Sequence, residues 1–243
     1  MANPDNIPYT PNETDINGST ETINMWRADD MLSVPVGANY NSGPQNVVVD
    51  LRLVSTEWVG NFTQSLAKPT NLYVIGSGTF DNTGPSTANG NTIIGVKVVG
   101  KGTINEYQSH ASGKLEFMQG VGANQTVTDS GYELYGGEHG VVQIDAPGQY
   151  HAQTDLGFGE IFLEGLKATS YSLKPDLLSL YRGNVLVGQI RLAFMGTPVP
   201  VGADPSHGPA PTNFGVSQVG GSVVIHADGS SYRDGGVLLA HHA

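Results

Sequence analysis

The chain has 243 residues, enough to bury a core in one elongated domain or two compact ones. Charged residues make up only 14% of it, against roughly 25% in ordinary globular proteins, while 33 Gly and 14 Pro supply frequent turns, a combination that favours turn-dense β structure over helices. A formal charge of −11, with no basic pair denser than Lys97 and Lys101, argues against nucleic-acid binding, and the absence of cysteine excludes disulfides, thiolate metal sites and cysteine nucleophiles.

Residues 1–46 hold eight Asn and six acidic residues but one basic residue, Arg27, and their apolar positions follow no period; they read as a polar N-terminal arm or cap. The first residues, Met1 to Asn6, show neither the basic nor the apolar stretch of a cleavable signal. No run of about 18 apolar residues exists, so no transmembrane segment is expected. Within the arm, Asn24 to Leu32 is expected to form a short helix that packs Trp26 and Leu32 on the end of a core.

From Val47 the pattern changes to short β-prone runs separated by Gly, Asn, Asp or Ser. They are Val47 to Val54, Asn71 to Ile75, Thr92 to Val99, Lys114 to Phe117, Gln125 to Thr128, Tyr132 to Tyr135, Val141 to Ile144, Glu160 to Leu163, Leu177 to Tyr181, Asn184 to Leu186 and Gln189 to Phe194. Such spacing marks a sandwich, barrel or solenoid. Inside Leu115-Glu116-Phe117, Val142-Gln143-Ile144 and Ile190 to Phe194, apolar residues take every second position, so one face is buried and the other wet. Gly78 to Asn82 and Gly102 to Asn105 echo each other, as expected of rungs that bury their apolar side only against neighbours. Residues 47–194 are therefore assigned to a β-solenoid core.

After Phe194, Met195 to Thr212 is rich in Pro and Gly and reads as a linker or wrapping loop. Ser222 to His226 and Gly236 to Ala240 then offer short apolar strands, each able to pair with a neighbouring chain. Residues 195–243 are thus a linker followed by a C-terminal strand and tail.

Gly113–Thr128 (GKLEFMQGVGANQTVT), Tyr132–Tyr135 (YELY), Val141–Tyr150 (VVQIDAPGQY) and Gly159–Leu166 (GEIFLEGL) carry a resemblance across Thr92 to Phe194. In this order they resemble the repeat unit of large bacterial secreted adhesins and autotransporter-type passenger domains. The resemblance implies a right-handed β-helix that acts outside the cell without catalysis. The chain departs from the family in holding a single copy rather than an array, and its N-terminal arm has no counterpart.

Motifs for specific chemistry are few. A Ca²⁺-binding β-roll needs tandem GGxGxD nonapeptides, which are absent; the nearest piece is Asp228 to Gly236, with Asp228 and Asp234 on one loop that reads as a plain polar hairpin loop, so no cofactor is expected and Ca²⁺ stays open only as an option that no motif supports. A glycan-cleaving β-helix needs carboxylates or a basic residue converging on a groove, either as an acid/base pair or as Ca²⁺ ligands beside a proton-abstracting Arg or Lys, for which Glu116, Glu133, Glu138, His139, Asp145 and Arg182 are the candidates. Tyr132, Tyr135 and Tyr150 are candidate glycan-binding residues, because tyrosines on a flat sheet stack on sugars and hydrogen-bond them; the alternative is aromatic packing between rungs. His241 and His242 read as a disordered tail, and Asn12, Asn17, Asn61 and Asn124 head glycosylation sequons.

The expectation is an all-β, short right-handed β-solenoid with an irregular N-terminal arm and a Pro/Gly-rich C-terminal segment. It would serve as a non-enzymatic extracellular structural or adhesive module of a surface layer, biofilm matrix or filament, self-associating and open to a glycan or cell-surface ligand. A polysaccharide-active β-helix enzyme is the second reading, and a phage or virus tail or capsid protein the third.

Overall fold

From Gln45 to Leu163 each strand ends at a corner, and the next begins on a different face. In this computed structural model, residues 20–25, 45–51, 54, 57–62, 64, 70–106, 114–129, 140–157, 159–194, 214–227 and 236–242 are described. They form an all-β solenoid of about four turns, with 66% strand.

The stack begins with β1 (Thr20–Met25), which lies on the first face parallel to β2 (Gln45–Leu51); the following turn holds β2 and β3 (Glu57–Gly60). The next two turns have three strands each: β4 (Thr70–Gly76), β5 (Thr79–Asn82) and β6 (Pro85–Ala88), then β7 (Asn91–Ile94), β8 (Lys97–Val99) and β9 (Thr103–Glu106). Two further turns hold β10 (Lys114–Phe117) with β11 (Thr126–Asp129), and β12 (Val141–Ile144) with β13 (Gln153–Leu156); single bridges at Val121 and Tyr150 stand in for their middle strands. The last parallel strand of the first face is β14 (Glu160–Leu163), and β17 (Val185–Phe194) is that of the third.

The stacking is parallel and in register, so each inward position forms a column. On the first face one column runs Val49, Val74, Ile94, Phe117, Ile144, Leu163. The second face stacks Trp58, Phe80, Val98, Val121 and Tyr150. The third stacks Ser86, Ile104, Val127, Thr154 and Leu192. Apolar members of all three faces meet in one core. At its N-terminal end Trp58 and Phe80 stack with centroids 4.3 Å apart, and Phe62 lies about 6 Å from both (6.1 and 6.0 Å).

Polar groups caught inside the corners are paired across turns. Asn82 Nδ2 donates to Gln125 Oε1 at 2.8 Å, while Gln125 Nε2 donates to the carbonyls of Asn82 (3.0 Å) and Val99 (2.7 Å). Ser86 Oγ donates to Asn82 Oδ1 at 2.9 Å and accepts from the Phe62 N–H at 3.1 Å. At the next corner Gln64 Oε1 accepts from the Asn89 N–H and the Thr92 hydroxyl, at 2.8 and 2.5 Å. One corner demands glycine: Gly76 has φ +109°, and a side chain there would collide with the Leu51 carbonyl.

At the C-terminal end the stacking turns antiparallel. A hairpin of β15 (Ser170–Leu173) and β16 (Leu177–Arg182) precedes β17 and pairs with it. On the first face β14 is met by β19 (Ser222–Ala227), then β18 (Phe214–Val219) and the short β20 (Val237–Leu238); β21 (Ala240–His241) borders β15.

Several expectations change. Asn24 and Met25, expected in a short helix, end strand β1 beside β2, and residues 26–32 lie outside the described residues. The echoing segments fall on different faces, Thr79 in β5 and Thr103 in β9, so their similarity is not the step from turn to turn. Thr92 to Val99 breaks into β7 and β8 at Gly95, whose N–H bonds to the Val74 carbonyl at 2.7 Å and turns the chain onto a new face. The runs Asn184 to Leu186 and Gln189 to Phe194 merge, from Val185 on, into one strand, β17, with a bulge at Val187 opposite Leu180 and Tyr181. Ser222 to His226 is paired on both sides, leaving no edge for another chain. The Tyr132 to Tyr135 run and the Met195 to Thr212 linker lie outside the described residues.

Phe80→Ala is expected to lower unfolding stability by about 3–5 kcal/mol, because it empties the middle of the aromatic stack, while Thr79→Ala on the outer side shifts it by about 0.5 kcal/mol or less. Gln125→Leu should cost about 1–3 kcal/mol for each corner group it strands. Urea midpoints measure all three.

Candidate functional site

The outer side of the first face brings two of the expected catalytic candidates together. Odd and even positions alternate along β10 and β12, so Lys114 and Glu116 point away from the core that Leu115 and Phe117 fill. The parallel register then places Glu116 directly beside Gln143. Lys114 Nζ lies 2.5 Å from Glu116 Oε2 and donates to Gln143 Oε1 at 3.1 Å. Gln143 Nε2 donates to Asp145 Oδ1 at 2.7 Å and to Glu116 Oε1 at 3.4 Å. One amide thus holds both carboxylates, and the Glu116 side chain is only 12% exposed.

Chemically this is a braced pair of acceptors. A glycosidase needs one carboxyl group to give up a proton while the other attacks or activates water. Here both carboxylates accept from the same Gln143 nitrogen, and Lys114 holds Glu116 from the other side. The arrangement suits cross-turn bracing and the binding of hydroxyl or amide donors.

The remaining candidates lie elsewhere. Arg182 ends β16 at the turn into β17, where it pairs with Val185, and donates from Nε and Nη2 to the Lys167 carbonyl at 3.3 and 3.2 Å. Glu133, Glu138, His139, Tyr132, Tyr135, Asp228 and Asp234 lie outside the described residues, as do Asn12 and Asn17, whereas Asn61 and Asn124 stand exposed. Tyr150, 3% exposed, belongs to the core: its ring lies 6.0 Å from that of Phe117, and its hydroxyl is 2.8 Å from Thr154 Oγ1. Stacking on a sugar needs an open ring face, and Tyr150 packs between turns instead. Burial pushes its phenol well above the usual tyrosine range; the Thr154 hydrogen bond pulls it partly back, and the Asp155 carboxylate adds to the rise.

His241 and His242, expected in a disordered tail, are packed. The His242 ring stacks on Tyr181 with centroids 4.0 Å apart, and His241 meets the edge of Tyr171 at 5.3 Å. Two buried carboxylates were not singled out from the sequence. Glu106 and Asp129 are register partners on the inner side of the third face, covered by Gly140 and Gly159, where any Cβ would collide with them. Their signal was parity: each lies two positions from an inward apolar residue, Ile104 or Val127. Among the described residues no group of three or more His, Asp or Glu is placed to hold a metal ion.

No protein-family model matches the chain, and neither does any curated protein or solved structure. The class is defined by architecture alone: a short β-solenoid with braced outer faces and antiparallel caps.

An unfolded tyrosine ionises near pH ~10. Folded Tyr150 holds its proton to higher pH, so above that point the unfolded chain binds fewer protons and stability falls as pH rises. Tyr150→Phe should lose about 1 kcal/mol at neutral pH with the Thr154 bond and then show a shallower alkaline decline. Urea midpoints across an alkaline series, with tyrosinate absorbance, read both effects.

Proposed function

We propose that the protein is a non-enzymatic extracellular module, structural or adhesive, that self-associates in a surface layer, matrix or filament. The observation that supports this reading best is the Lys114–Glu116–Gln143–Asp145 brace, in which outward polar side chains join one turn to the next. A second brace on the third face, Gln153 Nε2 to Asp155 Oδ1 at 2.8 Å, ties side chains along one strand. Parallel ladders join every turn to the next, and these side-chain contacts add to them between β10 and β12 and along β13, which suits a stiff, load-bearing or display role. The likeness of Thr92 to Phe194 to adhesin and autotransporter rungs points the same way.

The juxtaposition of Glu116 and Asp145 favours a second reading, a polysaccharide-active enzyme. Two measurements separate the two. Size-exclusion chromatography with light scattering over a wide concentration series should show mass growing with concentration, and a panel of polysaccharides should remain uncleaved by the unaltered chain. Turnover that disappears in Glu116→Gln would establish the enzyme and end the structural proposal.

A further inference from the structure

The segment from Val237 to His242 is the last strand of two sheets at once. β20 lies along β18, pairing Leu238 with Ser217 and Val237 with Gln218, and so ends the first face. β21 runs parallel to β15, pairing Ala240 with Ser170 and His241 with Tyr171, and so ends the third. Between them Leu239 packs against the core, and its N–H donates to the Val216 carbonyl at 2.8 Å. The His242 N–H donates to the Tyr171 carbonyl at 2.6 Å, and His242 Nδ1 lies 3.1 Å from Ser170 Oγ.

The seat is specific but lightly held. Each ladder is two residues long, whereas β16 and β17 share six register pairs. Val237 and Leu238 remain 68% and 49% exposed. The seat is built by β15, β16 and β18, none of which adjoins the segment in sequence, so the same segment from another molecule would make the same contacts. Nine residues, Asp228 to Gly236, separate it from β19, a contour of up to roughly 30 Å. When the segment leaves, β18 and β15 become bare sheet edges, which need a strand of that shape to cover them.

We infer that Val237–His242 is an exchangeable strand whose partner is the same two-sheet seat in a second copy of this chain. The exchange rests on the self-association reading above and gives it a mechanism: each copy closes the other's sheet ends, and Val237 and Leu238 gain a neighbouring molecule to lie against.

The chain contains no cysteine, so introduced pairs are unambiguous. In the first arm, Ser170→Cys and Ala240→Cys are placed on one chain and oxidised to hold the segment in its own seat. The locked protein, with unchanged far-UV circular dichroism, should stay at the 25.5 kDa chain mass over concentrations at which the unaltered chain grows, and reduction should restore growth. In the second arm, chains carrying only Ser170→Cys are mixed with chains carrying only Ala240→Cys. Oxidation should yield a mixed disulfide of twice the chain mass, several-fold above that from Ala240→Cys chains mixed with chains carrying Thr83→Cys at an exposed corner. Locked chains that grow like the unaltered protein, with no excess mixed disulfide, would overturn exchange while leaving self-association in place. An unaltered chain that stays monomeric throughout, again with no excess, would overturn both.

Discussion

A parallel strand in a stack satisfies its backbone only through the turns above and below it, so every other feature of this protein depends on keeping those turns in register. A slip of one residue would exchange the inner and outer sides of a strand, sending Leu115 and Phe117 outward and Glu116 into the core. Hydrophobic columns resist such a slip but do not by themselves choose among neighbouring turns, because Val, Ile and Leu fill many places equally well. The corner amides are more exacting. Asn82, Ser86 and Gln125 satisfy one another only when three turns stand in one alignment, and a displaced turn would leave buried amides without partners. The same logic explains Gly76, where the chain passes too close to the Leu51 carbonyl for any side chain.

Much of this was legible in the sequence because period-two alternation is a local property. Leu-Glu-Phe at 115–117 and Val-Gln-Ile at 142–144 state which side is buried without reference to the rest of the chain. What a local pattern cannot state is which face a strand joins. Thr79-Phe80-Asp81-Asn82 and Thr103-Ile104-Asn105-Glu106 alternate alike, yet one lies on the second face and the other on the third, since corners such as Gly95 decide where the chain turns. The caps were hidden for a related reason: a strand bound for an antiparallel hairpin alternates as a parallel one does. The site divides in the same way. Glu116 and Asp145 stood out as carboxylates in β-prone runs, but their meeting at Gln143 exists only through the register of β10 on β12. Tyr150 looked like a surface ring because the bridge that buries it is a single residue, too short to leave a pattern.

The change from parallel to antiparallel pairing gives the stack a definite end. A parallel solenoid has no internal reason to stop, since each last turn offers the next one a full set of donors and acceptors. Here β19 and β16 fold back upon β14 and β17 and consume those groups within the chain. The short strands β20 and β21 then border both sheets, and a two-residue edge is a poor template for further growth.

Magnitudes separate what holds the protein together from what it presents. An ion pair such as Lys114–Glu116, with the lysine 34% exposed, contributes on the order of 0–1 kcal/mol, whereas each large core side chain contributes about 1.5–3 kcal/mol through burial. The outer brace is therefore a minor source of stability, and its removal would leave the columns standing. Its physical effect is on geometry: it holds Glu116, Gln143 and Asp145 in one arrangement, sparing a binding partner the entropy of ordering long side chains. Core columns that carry the stability leave the outer side free to vary in chemistry without loss of fold, and it is on this division of labour that the proposed surface role rests.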